Sequence, residues 1–479
     1  MAAQWKCTVC AYQLTGVEPP ASCPVCGAPG SVFERLGGDD ADAAAGADAA
    51  ASAAAGADDD AGGAATGAPP SLDQYLAQWS RNEYEGEEKF STIDKLARTG
   101  KSDISPMGTR QAFPGMETLL FRGAQFGRFP LDEQEPVSTR TVIGPSAAHP
   151  LELEIPFYVS HMSFGALSRE AKIALARGAT AAGTAMCSGE GGMLPAEREA
   201  ASRYIYEIGT AEFTRNEAAI RQAEAVEIKI GQAAKPGMGG HLPAEKVTEE
   251  IAALRGLAPG EASIAPNRQP DVGSPAALAR LVDWLRETSG GKPIGVKFTA
   301  GRIEADLEFA LAGGPDFVTI DCRGGATGAA PAFLRDNVCL PPVFAIRRAR
   351  RFLDEHKSQA TLCVTGGFRD SADIAKALAL GADAVALATA SMIAIGCQQY
   401  RICHTGRCPV GIATQDAQLR GRLVIDKSVE RFVQLYRATT EELKTFARIC
   451  GRDDVHALDL SDVFTTSYEI AQLTDIASA

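Results

Sequence analysis

From Ser71 onward the chain alternates short apolar runs with amphipathic stretches of helical period, and this alternation limits the fold more than any other feature. Strand-like runs lie at 155–160, 184–188, 225–230, 293–299, 317–322, 362–365 and 384–388. Helical patterns between them include 168–179, 275–287 and 371–380. A parallel strand reaches its neighbour only through a crossover, most often a helix. Seven legible strands and one unread strand fit the α/β class, as a (β/α)8 TIM barrel. A doubly wound open sheet is the alternative, but no Gly-x-Gly-x-x-Gly turn follows an early strand. Several strands instead run into Gly-rich or charged loops, where barrel enzymes place their chemistry.

Composition divides the rest of the chain. Residues 1–36 hold four cysteines in two pairs. Residues 37–70 contain only Ala, Gly, Asp, Ser, Thr and Pro, too little apolar surface to offset the entropy of ordering. They are predicted to form a disordered acidic linker, with an end-to-end distance of roughly 30–35 Å if it behaves as a coil. Residues 71–150 are assigned as an N-terminal extension of the barrel, and 151–479 as the barrel itself. A net charge of −13 argues against a nucleic-acid or anionic-membrane binder. No apolar run is long enough for a transmembrane helix, and the first residues lack the pattern of a signal peptide. The expected location is the cytoplasm, where thiols stay reduced, so cysteines read as metal ligands or core residues.

Cys7-x2-Cys10 and Cys23-x2-Cys26 form two knuckles whose four thiolates suit one tetrahedral metal, iron or zinc. Cys397, Cys403 and Cys408 fall within twelve residues, the last followed by Pro409, a pattern that fits an iron–sulfur loop better than a zinc knuckle. Three thiolates suit a [3Fe–4S] cluster; a [4Fe–4S] cluster would need a further ligand. Near the barrel strands, Gly366-Gly367 could bring backbone N–H groups to a phosphate, and the stretch ending at Ala388 could supply the other half. Lys297, on a strand, could stabilise negative charge on a reduced cofactor, or pair with a core carboxylate.

The N-terminal knuckles, with Trp5 and Tyr12, resemble the rubredoxin-like modules of rubrerythrin-type proteins, which bind one redox iron. Residues from about 150 to 475 resemble the synthase domain of glutamate synthases. The motifs are His161-Met-Ser-Phe-Gly-Ala-Leu-Ser168, Ser188-Gly-Glu190-Gly-Gly192, Ile228 to Gly240, Asp321 to Pro331, and Cys397 to Gln415. The run Met238-Gly-Gly-His241-Leu-Pro resembles the shorter branch, which includes archaeal-type enzymes and the flavin subunit of N-methylglutamate synthase. The resemblance implies FMN, a [3Fe–4S] cluster, and reduction of 2-iminoglutarate formed from 2-oxoglutarate and ammonia or methylamine. It places Met162, Ser163, Gly165, Gln232, Lys297, Gly325, Thr327, Gly366, Gly367 and Ala388 at the flavin. It places Lys235 at the substrate carboxylates or the imine. A 2-oxo diacid needs cationic clamps, for which Lys229 and Arg255 are the further candidates. Glu190 is a candidate proton donor or loop anchor, and His241 a candidate active-site or loop-packing residue.

No glutaminase nucleophile stands at the start of the chain, and no dinucleotide fingerprint is present. The expected partners are therefore a separate glutaminase subunit and a separate electron donor, in a hetero-oligomer. The fused module reads as a tethered one-electron carrier that feeds the cluster and the flavin. Two other functions compete: an FMN and iron–sulfur electron-transfer subunit with no catalysis of its own, and a non-redox barrel with structural zinc.

Overall fold

The computed structural model describes residues 3–7, 13–16, 18–21, 33–36 and 89–479. The chain divides into two compact units, Met1–Asp103 and Ile104–Ala479. In the first unit, Ala3–Cys7 is the central strand of an antiparallel sheet, flanked by Gln13–Gly16 and Phe33–Leu36. The helix Phe90–Thr99 ends where Gly100 turns left-handed, at φ 62°. Cys10, Cys23, Cys26, the side chain of Cys7 and the linker at 37–70 lie outside the described residues.

The second unit is a closed barrel of eight parallel strands. They are β1 (Phe157–Val159), β2 (Met186–Cys187), β3 (Tyr204–Ile208) and β4 (Ala225–Lys229), then β5 (Ile294–Thr299), β6 (Phe317–Asp321), β7 (Thr361–Thr365) and β8 (Ala384–Leu387). Neighbours in sequence are neighbours in the barrel, and β8 closes onto β1. The strand unread in the sequence is β3. Its Glu207 interrupts an otherwise apolar run, yet that residue is 1% exposed because it points into the barrel.

Side chains alternate along each strand, so one set fills the barrel and the other meets the helices. The interior is apolar at the bottom, where Ile205, Ala225, Phe317 and Ala384 pack together. A hairpin of Thr141–Ile143 and Leu151–Leu153 adds Ile143, Leu151 and Leu153 to that cluster and plugs the lower end. Gly295 leaves room there, since a Cβ on it would lie 2.2 Å from the Phe317 ring. Toward the C-terminal ends of the strands the interior changes to Glu207, Glu227, Lys297 and Asp321, all buried.

Helix α1 (Arg169–Ala181) follows β1. Ser168 starts it by accepting from the Ala171 N–H, and its Oγ donates to Gly411 O at 2.7 Å. That second bond ties the helix start to the chain just after the cysteine loop. Between β4 and β5 the chain makes a long excursion carrying the hairpin of His241–Leu242 and Ser263–Ile264 and the helix Glu249–Arg255. After β8, the helix Thr389–Ala394 leads into the segment with Cys397, Cys403 and Cys408. Among the described residues no helix is long and apolar enough to cross a membrane.

Candidate active site

A cavity of about 1050 Å³, partly open to solvent, lies at the C-terminal ends of the strands. One wall is backbone. Gly324, Gly366 and Gly367 have φ of 102°, 97° and 105°, a region that favours glycine. A Cβ on Gly366 would stand 2.3 Å from Cys322 O, and one on Gly324 would stand 2.9 Å from the Gly367 Cα. The loops after β6 and β7 therefore pack main chain to main chain and keep that wall free of side chains.

The floor is charged. Lys297 donates to Glu207 Oε2 at 2.5 Å, and Thr319 donates to Glu227 Oε1 at 2.5 Å. His161 Nε2 contacts Glu227 Oε2 and lies 3.7 Å from Glu207 Oε2. Two cations thus face two carboxylates with little surface left exposed. Burial acts against each charged form, but the neighbours prevail. Glu207 and Glu227 are held below the usual carboxylate range, by Lys297 and His161 respectively. Burial lowers the His161 pKa, yet Cys187 and Glu227 outweigh it and push it to about 10. Burial is likewise outweighed at Lys297, raised by Glu207 and Glu227. Asp321 is different: burial raises it despite Lys297, and its Oδ2 accepts from the Ala233 N–H at 2.9 Å. His161, Cys187 and Glu207 offer ligand atoms within 4.8 Å of one another, but the Lys297 ammonium already occupies Glu207.

On the side of the β4–β5 excursion, Lys229 donates to Glu190 Oε2 at 2.6 Å and to Gln232 Oε1 at 2.7 Å. Burial would raise Glu190, but Lys229 outweighs it and keeps the carboxylate ionised. Lys235 is 4% exposed and donates to Gly239 O at 2.7 Å, with its pKa lowered by burial.

The cysteine loop closes another side, and Cys403 lines the same cavity. Burial raises both Cys397 and Cys403, the latter to about 11, and the charges of the neighbouring loop cysteines add to it. The Gln399 N–H donates to Cys397 Sγ at 3.4 Å. Lys246 reaches across from the excursion and donates to Cys403 O at 2.6 Å.

Of the residues singled out in the sequence, Met162, Ser163, Glu190, Lys229, Gln232, Lys297, Gly325, Thr327, Gly366, Gly367, Ala388 and Cys403 line this cavity. Lys235 sits beside it, close enough for its charge to act on Glu190. Arg255 is buried, donating to Phe164 O at 2.8 Å and Ser263 Oγ at 3.0 Å, where it fastens the excursion to the loop after β1. Gly165 is the turn beneath it; a Cβ there would be 3.1 Å from Arg255 Nη2. His241 is exposed on the short hairpin. Sequence reasoning assigned no role to His161, Glu207, Asp321 or Arg369, which also line the cavity. A charged residue inside an apolar strand run, as in Tyr204–Ile208 and Ala225–Lys229, is the signal that would have found the two floor carboxylates.

Comparison with known proteins gives two family matches. Residues 88–453 match the conserved region in glutamate synthase, and residues 5–34 match the rubredoxin-like domain of rubrerythrin. A glutamate synthase large subunit-like protein of Rhizobium meliloti (strain 1021) is 37% identical over 412 residues, covering 81% of this chain and 93% of the relative. An archaeal-type glutamate synthase [NADPH] of Thermotoga maritima is 36% identical over 409 residues, covering 80% of this chain and 79% of the relative. A solved structure of an oxidised active mutant of (S)-mandelate dehydrogenase superposes with a TM-score of 0.50 at 16% identity, over 73% of this chain and 88% of that one. The last is a likeness of fold alone.

Proposed function

Because the chain belongs to the glutamate synthase family of oxidoreductases and carries a rubredoxin-like module, we propose that it reduces 2-iminoglutarate to glutamate in the barrel cavity. The iminoglutarate comes from 2-oxoglutarate and ammonia, with FMN in the cavity and a [3Fe–4S] cluster on Cys397, Cys403 and Cys408. One observation carries the reading: a glycine-walled loop pair, a floor of paired cations and carboxylates, a lysine–glutamate pair and a cysteine of the loop all converge on one cavity.

The residues fit these groups. At Gly324, Gly366 and Gly367 a Cβ would press on the main chain of the facing loop, and the bare backbone kept there suits close approach of a phosphate. Cys397, Cys403 and Cys408 lie on one loop, near enough for the charges of the other two to act on Cys403, and three thiolates with no fourth suit a [3Fe–4S] cluster. For the N-terminal site the rubredoxin-like match favours iron over zinc. When bound, the flavin supplies hydride chemistry, and the iron centres supply one-electron chemistry.

The chain's own residues do the rest. Lys297, kept cationic by Glu207, holds positive charge at the cavity floor, where charge develops on a reduced ring. Lys229 lines the cavity and Lys235 sits beside it, and the two cations suit the two carboxylates of the substrate. Glu190 restrains Lys229 until a diacid competes for it, and its carboxylate stands ready to take or return a proton at the imine nitrogen. Ammonia and electrons come from separate subunits, in a hetero-oligomer.

The test is anaerobic purification, followed by flavin and iron analysis and product identification from 2-oxoglutarate with ammonia or methylamine under a reducing dye. A coloured protein that forms glutamate with ammonia is expected. N-Methylglutamate formed in preference would move the amine to methylamine. A colourless protein, or a coloured one that forms neither product while the dye reduces its flavin, would sink the proposal.

A further inference from the structure

Most buried cations near the cavity have a carboxylate of their own: Lys297 has Glu207, Lys229 has Glu190 and Lys172 has Glu197. Lys246 does not. It ends the turn Ala244–Lys246 of the β4–β5 excursion and is 6% exposed. Among the described residues no carboxylate lies within ion-pair distance of it; Glu245, next in the chain, acts on it only from further away. Its one hydrogen bond goes to Cys403 O, at 2.6 Å. Its Cε would stand 3.2 Å from a Cβ on Gly406, so the side chain lies along the turn that joins Cys403 to Cys408. A buried ammonium is costly unless an anion compensates it. The loop it lies along carries Cys403 and Cys408, which are anionic thiolates when they hold a metal group.

We infer that Lys246 is the cation that offsets the negative charge of the group held by Cys397, Cys403 and Cys408, and that it thereby raises that group's reduction potential. This rests on the reading that the three cysteines hold an iron–sulfur cluster. Three thiolates and four sulfides around three ferric ions leave a net charge of about −2, which becomes about −3 when one electron is added and no proton is taken up. A fixed positive charge at the loop stabilises the second state more than the first, so reduction becomes easier. Because Lys246 belongs to the excursion that also carries Lys235, the same contact fastens the substrate side of the cavity to the redox side.

The experiment is an EPR-monitored redox titration of the full-length protein and its K246M, K246Q and K246R variants, with iron and sulfide counted in each. K246M and K246Q are expected to shift the cluster midpoint to more negative potential, and K246R to stay near the parent. An unchanged or more positive midpoint in a cluster-loaded neutral variant overturns the inference. So does a shift in K246R as large as in the neutral variants, because the contact would then act through shape. Loss of the cluster from both neutral variants with retention in K246R supports the need for the charge, whereas loss from all three overturns it. An unaltered protein with no iron–sulfur signal would remove the cluster reading itself, a result separate from any of these.

Discussion

His161 and Lys297 are held as cations by Glu207 and Glu227 in the buried floor of the cavity, and this arrangement makes stability depend on pH. The folded pKa of His161 is about 10, against about 6.5 for an unfolded histidine. A folded value above the unfolded one gives stability that is whole below about pH 6.5 and fades as the pH rises toward the folded value. Urea denaturation at about pH 6, 8 and 10 should therefore show stability falling by up to a few kcal/mol, beyond the general effect of alkali. H161Q should flatten that slope; a slope as steep as the parent's would mean that another group titrates. Glu207 and Glu227 act in the opposite range. Their depressed values give stability present above the unfolded value of about 4.3 and lost as the pH falls through the folded ones.

Elements are joined at the cavity by a few buried side chains, chief among them Lys172 of α1. It is fully buried, pairs with Glu197 at 2.9 Å, and donates to Met162 O and to Ser188 O, the latter at 2.9 Å. One side chain thus ties the loops after β1 and β2, which carry Met162, Ser163 and Glu190. Burial raises Glu197 to about 7 even with Lys172 beside it. K172M is expected to cost about 3–5 kcal/mol at mildly alkaline pH, where Glu197 would be a buried unpaired charge. The loss should shrink in mild acid, where Glu197 takes up a proton and the folded state keeps it neutral. Equal losses at both pH values would contradict this. Glycines offer a second comparison. G366A forces a Cβ against Cys322 O and should cost more than about 2 kcal/mol and lower flavin content. G256A, also left-handed but with open space around it, should cost only about 1 kcal/mol and leave flavin content alone. At this scale the sequence was largely readable. Seven strands followed from apolar runs, and Ser168, Ser274 and Asp370 cap helices beside the predicted patterns. What failed was β3, where the inward Glu207 leaves only Ile208 after it, whereas the run at 225–230 stood out despite its inward Glu227. Arg255 and His241 were equally hard to place, because the path of the excursion is set by tertiary contacts such as Arg255 to Phe164 O.

The whole barrel unit is closed by its ends. Val463–Thr465 pairs antiparallel with Leu119–Phe121, so a strand that precedes the barrel is completed by one that follows it. Beyond that strand, Asp475 accepts two bonds from Arg347, at 2.8 and 2.6 Å, and the Thr465 N–H donates to Ala477 O at 2.9 Å. Val463, Ile470 and Ile476 are buried, at 0%, 0% and 2% exposure. Burying each such side chain is worth about 1.5–3 kcal/mol, so the tail supplies on the order of 5 kcal/mol of a total that is typically about 5–15. Removing residues 463–479 leaves the main chain of Leu119–Phe121 without its partner strand, and buried backbone without partners adds to the loss. The truncated protein should unfold far below the parent in calorimetry or fail to accumulate in soluble form. D475N is the milder arm, keeping the tail but removing one charge from a partly exposed pair, and should cost no more than about 1 kcal/mol. A truncated chain with an unshifted midpoint would show that the barrel closes without its tail. The paired strands would then serve the surface rather than the core, an outcome hard to reconcile with three apolar side chains that water barely reaches.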